Sequence, residues 1–311
     1  MPESILKALE KGFVLADGGN VEELRLRGYS AQSALEHFPD AARLVHQDFF
    51  RAGADVIRAL TGRCTRTGLG AGENGSAADR VDEMNRTAVA LAKGAAGGEA
   101  LVAGTLAPTG AFQADDAGST DRARTEWEEQ AGILADAGVD LLVCDSFDRL
   151  DEARLALACC KDTALPVVVS VDVALPERRL NNPALREDEV TADGVAPAEC
   201  ARVLAGDGAD VVGAGGMREP EDLWPVVLEM RDAVDVPVAF LPNGYRTCRA
   251  HWEHMREGMH VYGIEMGQYA LKAVAHDIRF VGGSDGVVIR LLRSMAQALD
   301  CERKHIELRP R

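Results

Sequence analysis

An α/β fold of the (β/α)8 TIM barrel class, a single domain over residues 1–311, is what the sequence predicts, and three observations predict it. Eight apolar runs recur along the chain, at residues 13–19, 54–60, 100–107, 139–147, 166–173, 209–216, 236–243 and 278–283. They are continuous rather than alternating, as expected of strands covered on both faces. Between them lie segments of helix length with a 3.6-residue period. Ala41, Leu44, Val45, Phe49 and Ala52 share one helical face. Met84, Ala88, Leu91 and Ala95 share another, as do Ile289, Leu292, Met295, Ala296 and Leu299. Eight strands alternating with helices favour a closed barrel over a doubly wound open sheet.

In chain order, the first run ends in Asp17-Gly18-Gly19 and the second reaches Arg58. The glycines Gly53, Gly138 and Gly208 each stand just past a helical stretch and lead into the next strand, the expected place for a left-handed C-cap. Residues 61–82, rich in Gly, Arg and Ser, and the polar residues 174–197 read as long loops after strands 2 and 5. In a barrel both fall on the catalytic face. Strand 4 ends at Asp145, strand 5 at Asp172, strand 6 in Gly213-Ala214-Gly215-Gly216 and strand 7 at Asn243. The last run opens into Gly282-Gly283-Ser284-Asp285-Gly286, with a helix expected from near Val287.

The formal charge of −16 excludes a general nucleic-acid surface and disfavours an anionic membrane. Seven cysteines, at 64, 144, 159, 160, 200, 248 and 301, form neither a disulfide framework nor a CxxC pair, so a reducing cytoplasm is expected. The Cys159-Cys160 doublet reads as helix packing. The amino-terminal residues lack the basic and apolar signature of a signal peptide, and no run is long enough to span a bilayer. His251, His254 and His260 read as a solvated helix face.

Polar residues at strand carboxyl ends point into the mouth of a barrel. Asp17, Arg58, Asp145, Asp172, Asn243 and Asp285 therefore form the candidate site. Four carboxylates there require a cation, which a substrate amine, a metal or Arg58 itself would supply. Each has a plainer reading: Asp17 capping a turn, Asp145 or Asp285 capping a helix, Asp172 pairing with an arginine at 178–179.

In order along the chain, Leu15-Ala16-Asp17-Gly18-Gly19, the stretch from His46 to Ile57, residues 103–110, Thr191-Ala192-Asp193-Gly194-Val195, Pro242-Asn243-Gly244 and Gly282-Gly283 resemble the homocysteine S-methyltransferases, betaine–homocysteine methyltransferases included. The resemblance implies a barrel that moves a methyl group from a small onium donor, of betaine or sulfonium type, to homocysteine or a similar acceptor. A place in methionine biosynthesis follows. It implies that Asp17 and Asp145 hold an ammonium group, with Gly18, Gly19, Arg58 and Asn243 also lining the substrate, and small-molecule substrates as the partners. The family binds zinc through three cysteines, whose positions here are Gly216, Ser284 and Asp285. No metal ligand is therefore assigned and no cofactor is named. Substitute zinc ligands from Cys64, Cys144 or Cys248 stay an open alternative, and a base such as Asp285 or Asp145 is the other, with Asp285 and Ser284 the candidate catalytic pair. A carboxylate-lined lyase or hydrolase using a divalent metal, and a non-catalytic amino-acid-binding homologue, are the alternative readings. A homo-oligomer is compatible with the sequence.

Overall fold

Each apolar run contains a strand: β1 (Val14–Leu15), β2 (Val56–Arg58), β3 (Leu101–Leu106), β4 (Leu141–Phe147), β5 (Val167–Val171), β6 (Val211–Ala214), β7 (Val238–Phe240) and β8 (Phe280–Val281). The computed structural model describes residues 3–70, 77–173, 189–246 and 260–300. It places the strands in one parallel sheet in the order β1-β8-β7-β6-β5-β4-β3-β2. A parallel bridge between Ala16 and Val56 joins the two ends of that order. Asp55 N donates to Leu15 O at 2.7 Å and Asp17 N to Val56 O at 3.0 Å, which closes the ring.

Successive side chains on a strand face opposite ways, so one parity fills the barrel and the other packs beneath the helices. The inner set includes Ala16, Val56, Leu101, Val143, Val168, Val211, Leu241 and Phe280, all buried. Helix α1 (Ile5–Lys11) adds Ile5 and Leu9 to the same cluster and so covers one end of the barrel interior. Two residues further along their strands, the inner parity reaches Arg58, Asp145 and Ser170, and one step beyond Ser170 lies Asp172. The apolar layers thus lie below a polar layer at the strand ends.

The outer layer comprises α2 (Asn20–Leu26), α3 (Ala31–Glu36), α4 (Pro39–Ala52), α5 (Ala77–Ala96), α6 (Ala117–Asp136), α7 (Leu150–Cys160), α8 (Pro197–Gly206), α9 (Pro220–Arg231), α10 (Gly263–Ala275) and α11 (Ile289–Asp300). Most of the expected apolar faces are buried against the sheet; Leu44, at the edge of the α4 stripe, is exposed. Gly53 ends α4 at φ +116°, and a Cβ there would lie 2.7 Å from that of Ala296 on α11, so both conformation and packing require glycine.

Three local expectations shift. The last helix begins at Ile289 rather than near Val287. Helix α5 already begins at Ala77, inside the stretch expected to be loop. Helix α7 is capped from a distance: Leu150 N and Asp151 N donate to the Asp193 carboxylate at 3.0 and 3.2 Å, which removes the capping role considered for Asp145. Residues 174–188, with the arginines at 178–179, and His251 and His254 lie outside the described residues. Cys159 and Cys160 are buried, as packing requires. No described helix is long and apolar enough to cross a membrane.

Candidate active site

Arg58 occupies the centre of the barrel mouth. Its Nε donates to Asp17 Oδ1 at 2.8 Å and its Nη1 to Asp145 Oδ2 at 3.0 Å. Its Nη2 donates to the carbonyls of Asp17, Gly18 and Gly283 at 3.2, 2.9 and 2.5 Å. One guanidinium therefore ties the ends of β1, β2, β4 and β8 together. Burial opposes the charge, but Asp17 and Asp145, with Asp285 further off, outweigh it and hold Arg58 above its usual pKa. Of the cations considered from sequence, the one present between these two acids is Arg58.

Asp17 is fully buried, at 0% exposure, with Arg58 at 6% and Asp145 at 9%. The second oxygen of Asp17 accepts from the Arg58 backbone N at 2.9 Å and from Asn20 Nδ2 at 2.8 Å. The Asp17 carboxylate is thus enclosed by protein donors. Asp145 is more accessible and owes its aim to an irregularity in β4. The β4–β5 register shifts between Cys144 and Phe147, and Ser146 takes a left-handed φ of 64°. A bulge of this kind turns a side chain out of the regular pleat. Ser170 Oγ, from the inner face of β5, donates to Asp145 Oδ1. Neither Ser170 nor Asn20 was singled out from sequence; for Ser170 the available signal was its spacing of two from Asp172 on an inward-facing parity.

The other expected residues form the adjoining wall. Gly18 sits so close to Val287 that a Cβ would collide with the Val287 carbonyl, and Gly19 N donates to that oxygen at 3.0 Å. Gly283 N donates to Asp17 O at 3.1 Å and Ser284 N to Pro242 O at 2.9 Å. Asn243 is wholly buried: its Oδ1 accepts from Tyr245 N at 2.8 Å and its Nδ2 donates to Gly216 O at 3.2 Å. These groups bind the loops after β1, β6, β7 and β8 to one another. Ser284 is buried beneath that surface, while Asp285 is exposed on it. Tyr245 adds a further tie, donating its hydroxyl to Glu22 with the His260 ring 4.6 Å away.

Asp172 completes the mouth. Its half-buried carboxyl group lies against the Cα of Gly216, where a Cβ would overlap it. Burial pushes this acid up to about 6, with the Met217 N–H and Arg218 opposing and Asp148 and Asp145 adding to the rise. A groove of about 660 Å³, lined by residues such as Arg124, Arg154 and Lys161, lies on the outer helices and shares none of these residues.

The sequence pattern of one family, homocysteine S-methyltransferase, matches residues 14–299. The chain belongs to the homocysteine S-methyltransferase family. By that membership it is a methyltransferase. Betaine–homocysteine S-methyltransferase 1 of Danio rerio is 28% identical over 321 residues, covering 96% of this chain and 76% of the relative. S-methylmethionine–homocysteine S-methyltransferase of Pongo abelii is 27% identical, covering 96% and 82%. In fold, the metallated form of the Escherichia coli homocysteine methyltransferase MmuM superposes with a TM-score of 0.74, at 20% identity over 94% of this chain and 99% of that one.

Among the described residues the donor set does not fit a zinc–thiolate centre; Cys248 and Cys301 lie outside them. Zinc of that kind takes sulfur as thiolate. The space that a side chain at residue 216 would need is filled by the Asp172 carboxyl. The described cysteines, 64, 144, 159, 160 and 200, are all buried in the core. Burial pushes Cys64, Cys159 and Cys200 up to about 12, far from thiolate formation at neutral pH. Among the described residues no group of three or more His, Cys, Asp or Glu side chains is arranged to hold a metal ion.

Proposed function

We propose that this chain transfers a methyl group from a small onium donor, of the betaine or sulfonium type, to the sulfur of homocysteine or a similar acceptor, and that it does so without zinc. The observation that carries this reading is the gathering of Asp17, Asp145 and Asp285 around the guanidinium of Arg58, with Asp172 close to Asp145 and Arg218, at the mouth of a barrel of this family. The nearby Arg218 is itself paired with Glu189 at 3.3 Å. The excess of negative charge favours a cationic ligand, and an onium donor meets that demand.

Methyl transfer to sulfur is an in-line displacement, so the protein's main task is to hold donor and acceptor close and aligned. The Arg58 ion pairs fix the floor of the mouth, and the glycine-rich loops around Gly18 and Gly283 fix its wall. With Asp17 enclosed, Asp145 and Asp285 are the acids placed to meet a substrate cation, and the enclosed pair of Asp17 with Arg58 positions Asp145. The experiment is direct: purified protein is incubated with homocysteine and either glycine betaine or S-methylmethionine, and methionine is measured. Methionine formation from at least one donor is expected. No methionine from either, at millimolar substrate, would overturn the reading.

A further inference from the structure

Between β5 and β6 the chain sets a carboxylate where a side chain has been left out. Gly216 has φ +80°, and a Cβ on it would overlap the Asp172 carboxyl group. The carboxyl is fixed in that cradle from several sides. Asp172 N donates to Phe147 O at 2.7 Å, and Gly215 N to Val171 O at 3.1 Å. Arg218 Nε donates to Val173 O, and the Met217 N–H donates to the Asp172 carboxylate. Asn243 holds the Gly216 carbonyl from the β7 side at 3.2 Å. Three strand ends therefore cooperate to hold one acid in the mouth, on the same inward parity as Ser170.

Resting on the methyl-transfer reading above, we infer that Asp172 is the base of the reaction, receiving the proton that leaves the acceptor's thiol as its sulfur attacks the donor's methyl carbon. The S–C bond forms as the bond from that carbon to the onium nitrogen or sulfur breaks. Its electron pair departs with the neutral amine or sulfide, and the thiol proton passes to a carboxylate oxygen and then to water. An alkyl thiol has a pKa of about 8.5 and is mostly protonated at neutral pH, so attack needs a proton acceptor. As the new bond forms, the sulfur gains positive character and its proton becomes acidic, so a carboxylate suffices as the acceptor.

The surroundings suit the task. The groups facing Asp172 are Arg218 in the loop after β6 and Asp145 and Asp148 at the end of β4. Arg218 is drawn towards Glu189 as well, which tempers its hold on Asp172. With burial pushing the acid up to about 6, it is ionised at neutral pH and still a useful base. Asp145, by contrast, is bound by Arg58 and Ser170, and Asp285 stands exposed.

The test is the pH profile of methyl transfer to homocysteine for the wild type and three variants. In the wild type, kcat is expected to rise along a limb centred at about pH 6. Asp172→Asn should lower kcat by about 10²–10³-fold and abolish that limb, with little change in the KM for the donor. Asp172→Ala should regain activity, saturably, on addition of formate. Gly216→Ala, which displaces the carboxyl, should lower kcat in the wild-type background and add nothing to Asp172→Asn. If the wild type turns over and Asp172→Asn keeps both its kcat and the limb, the base assignment fails while the methyl-transfer reading stands. Loss of kcat with the limb retained and no formate rescue marks a structural role and overturns the assignment too. A wild type that makes no methionine overturns both.

Discussion

Arg58 Nη1 and Asp145 Oδ2 meet at 3.0 Å across the barrel mouth, joining the end of β2 to the bulged end of β4. The same guanidinium holds Asp17 at 2.8 Å, so one cation balances two carboxylates that are almost wholly withdrawn from water. Removing one partner from such a cluster leaves uncompensated buried charge, which is more costly than the cluster's own net contribution. Arg58→Met should therefore destabilise the protein by about 3–5 kcal/mol in urea unfolding. A loss below about 1 kcal/mol would mean that water reaches the pair freely.

A second expectation concerns His46 on α4. It is fully buried, neither ring nitrogen meets a hydrogen-bond partner among the described residues, and burial pushes it down to about 4. Between that value and the ordinary 6.5 the unfolded chain binds a proton that the folded chain refuses. Stability therefore rises with pH through this window and is lost as pH falls through it. His46→Leu should flatten the acid side of the stability profile, by roughly 3 kcal/mol at most. It should also gain stability at pH 7 by relieving two unsatisfied polar atoms. Urea unfolding of both proteins at pH 5 and pH 7 checks this; an unchanged difference between the two pH values contradicts it.

Glu152, near the start of α7, acts in the opposite sense. Burial first, then the neighbouring Asp148 and Asp151, push it up to about 7, with Arg149 opposing. The folded chain keeps a proton that the unfolded chain has released above the usual carboxylate range, so stability falls as pH rises through the window. Glu152→Gln should leave stability unchanged at pH 4 and raise it by roughly 1–2 kcal/mol at pH 8, allowing for solvent screening. A gain equal at both pH values would point to packing rather than ionisation.

The barrel was legible because its signals are local or periodic. Continuous apolar runs marked all eight strands, and Gly53, Gly138 and Gly208 do adopt positive φ where helices end. The acids at strand ends were legible for a related reason, since strand parity carries Asp172 to the mouth and brings Asp145 to its edge, where the β4 bulge sets its aim. The partnerships among them were not. Nothing near Arg58 in sequence announces that its guanidinium will reach Gly283, 225 residues away. Nor does the glycine at 216 reveal that the carboxyl of residue 172 fills the space above it. The β4 bulge falls on Asp145-Ser146 near the end of the run 139–147, and two adjacent polar residues there do not by themselves announce a change of register. Nor does any local pattern announce that Gly19 N will donate to Val287 O or that the Asn243 side chain will hold the Gly216 carbonyl.

Chemistry at sulfur without a thiolate-binding metal is the central claim, and metal content measured beside turnover tests it most directly. The protein is dialysed against a strong chelator, its zinc determined by elemental analysis, and methionine formation from homocysteine and an onium donor followed before and after. Undiminished turnover with well under one zinc per chain is the predicted result. Stoichiometric zinc whose removal abolishes turnover, and whose return restores it, would contradict the account.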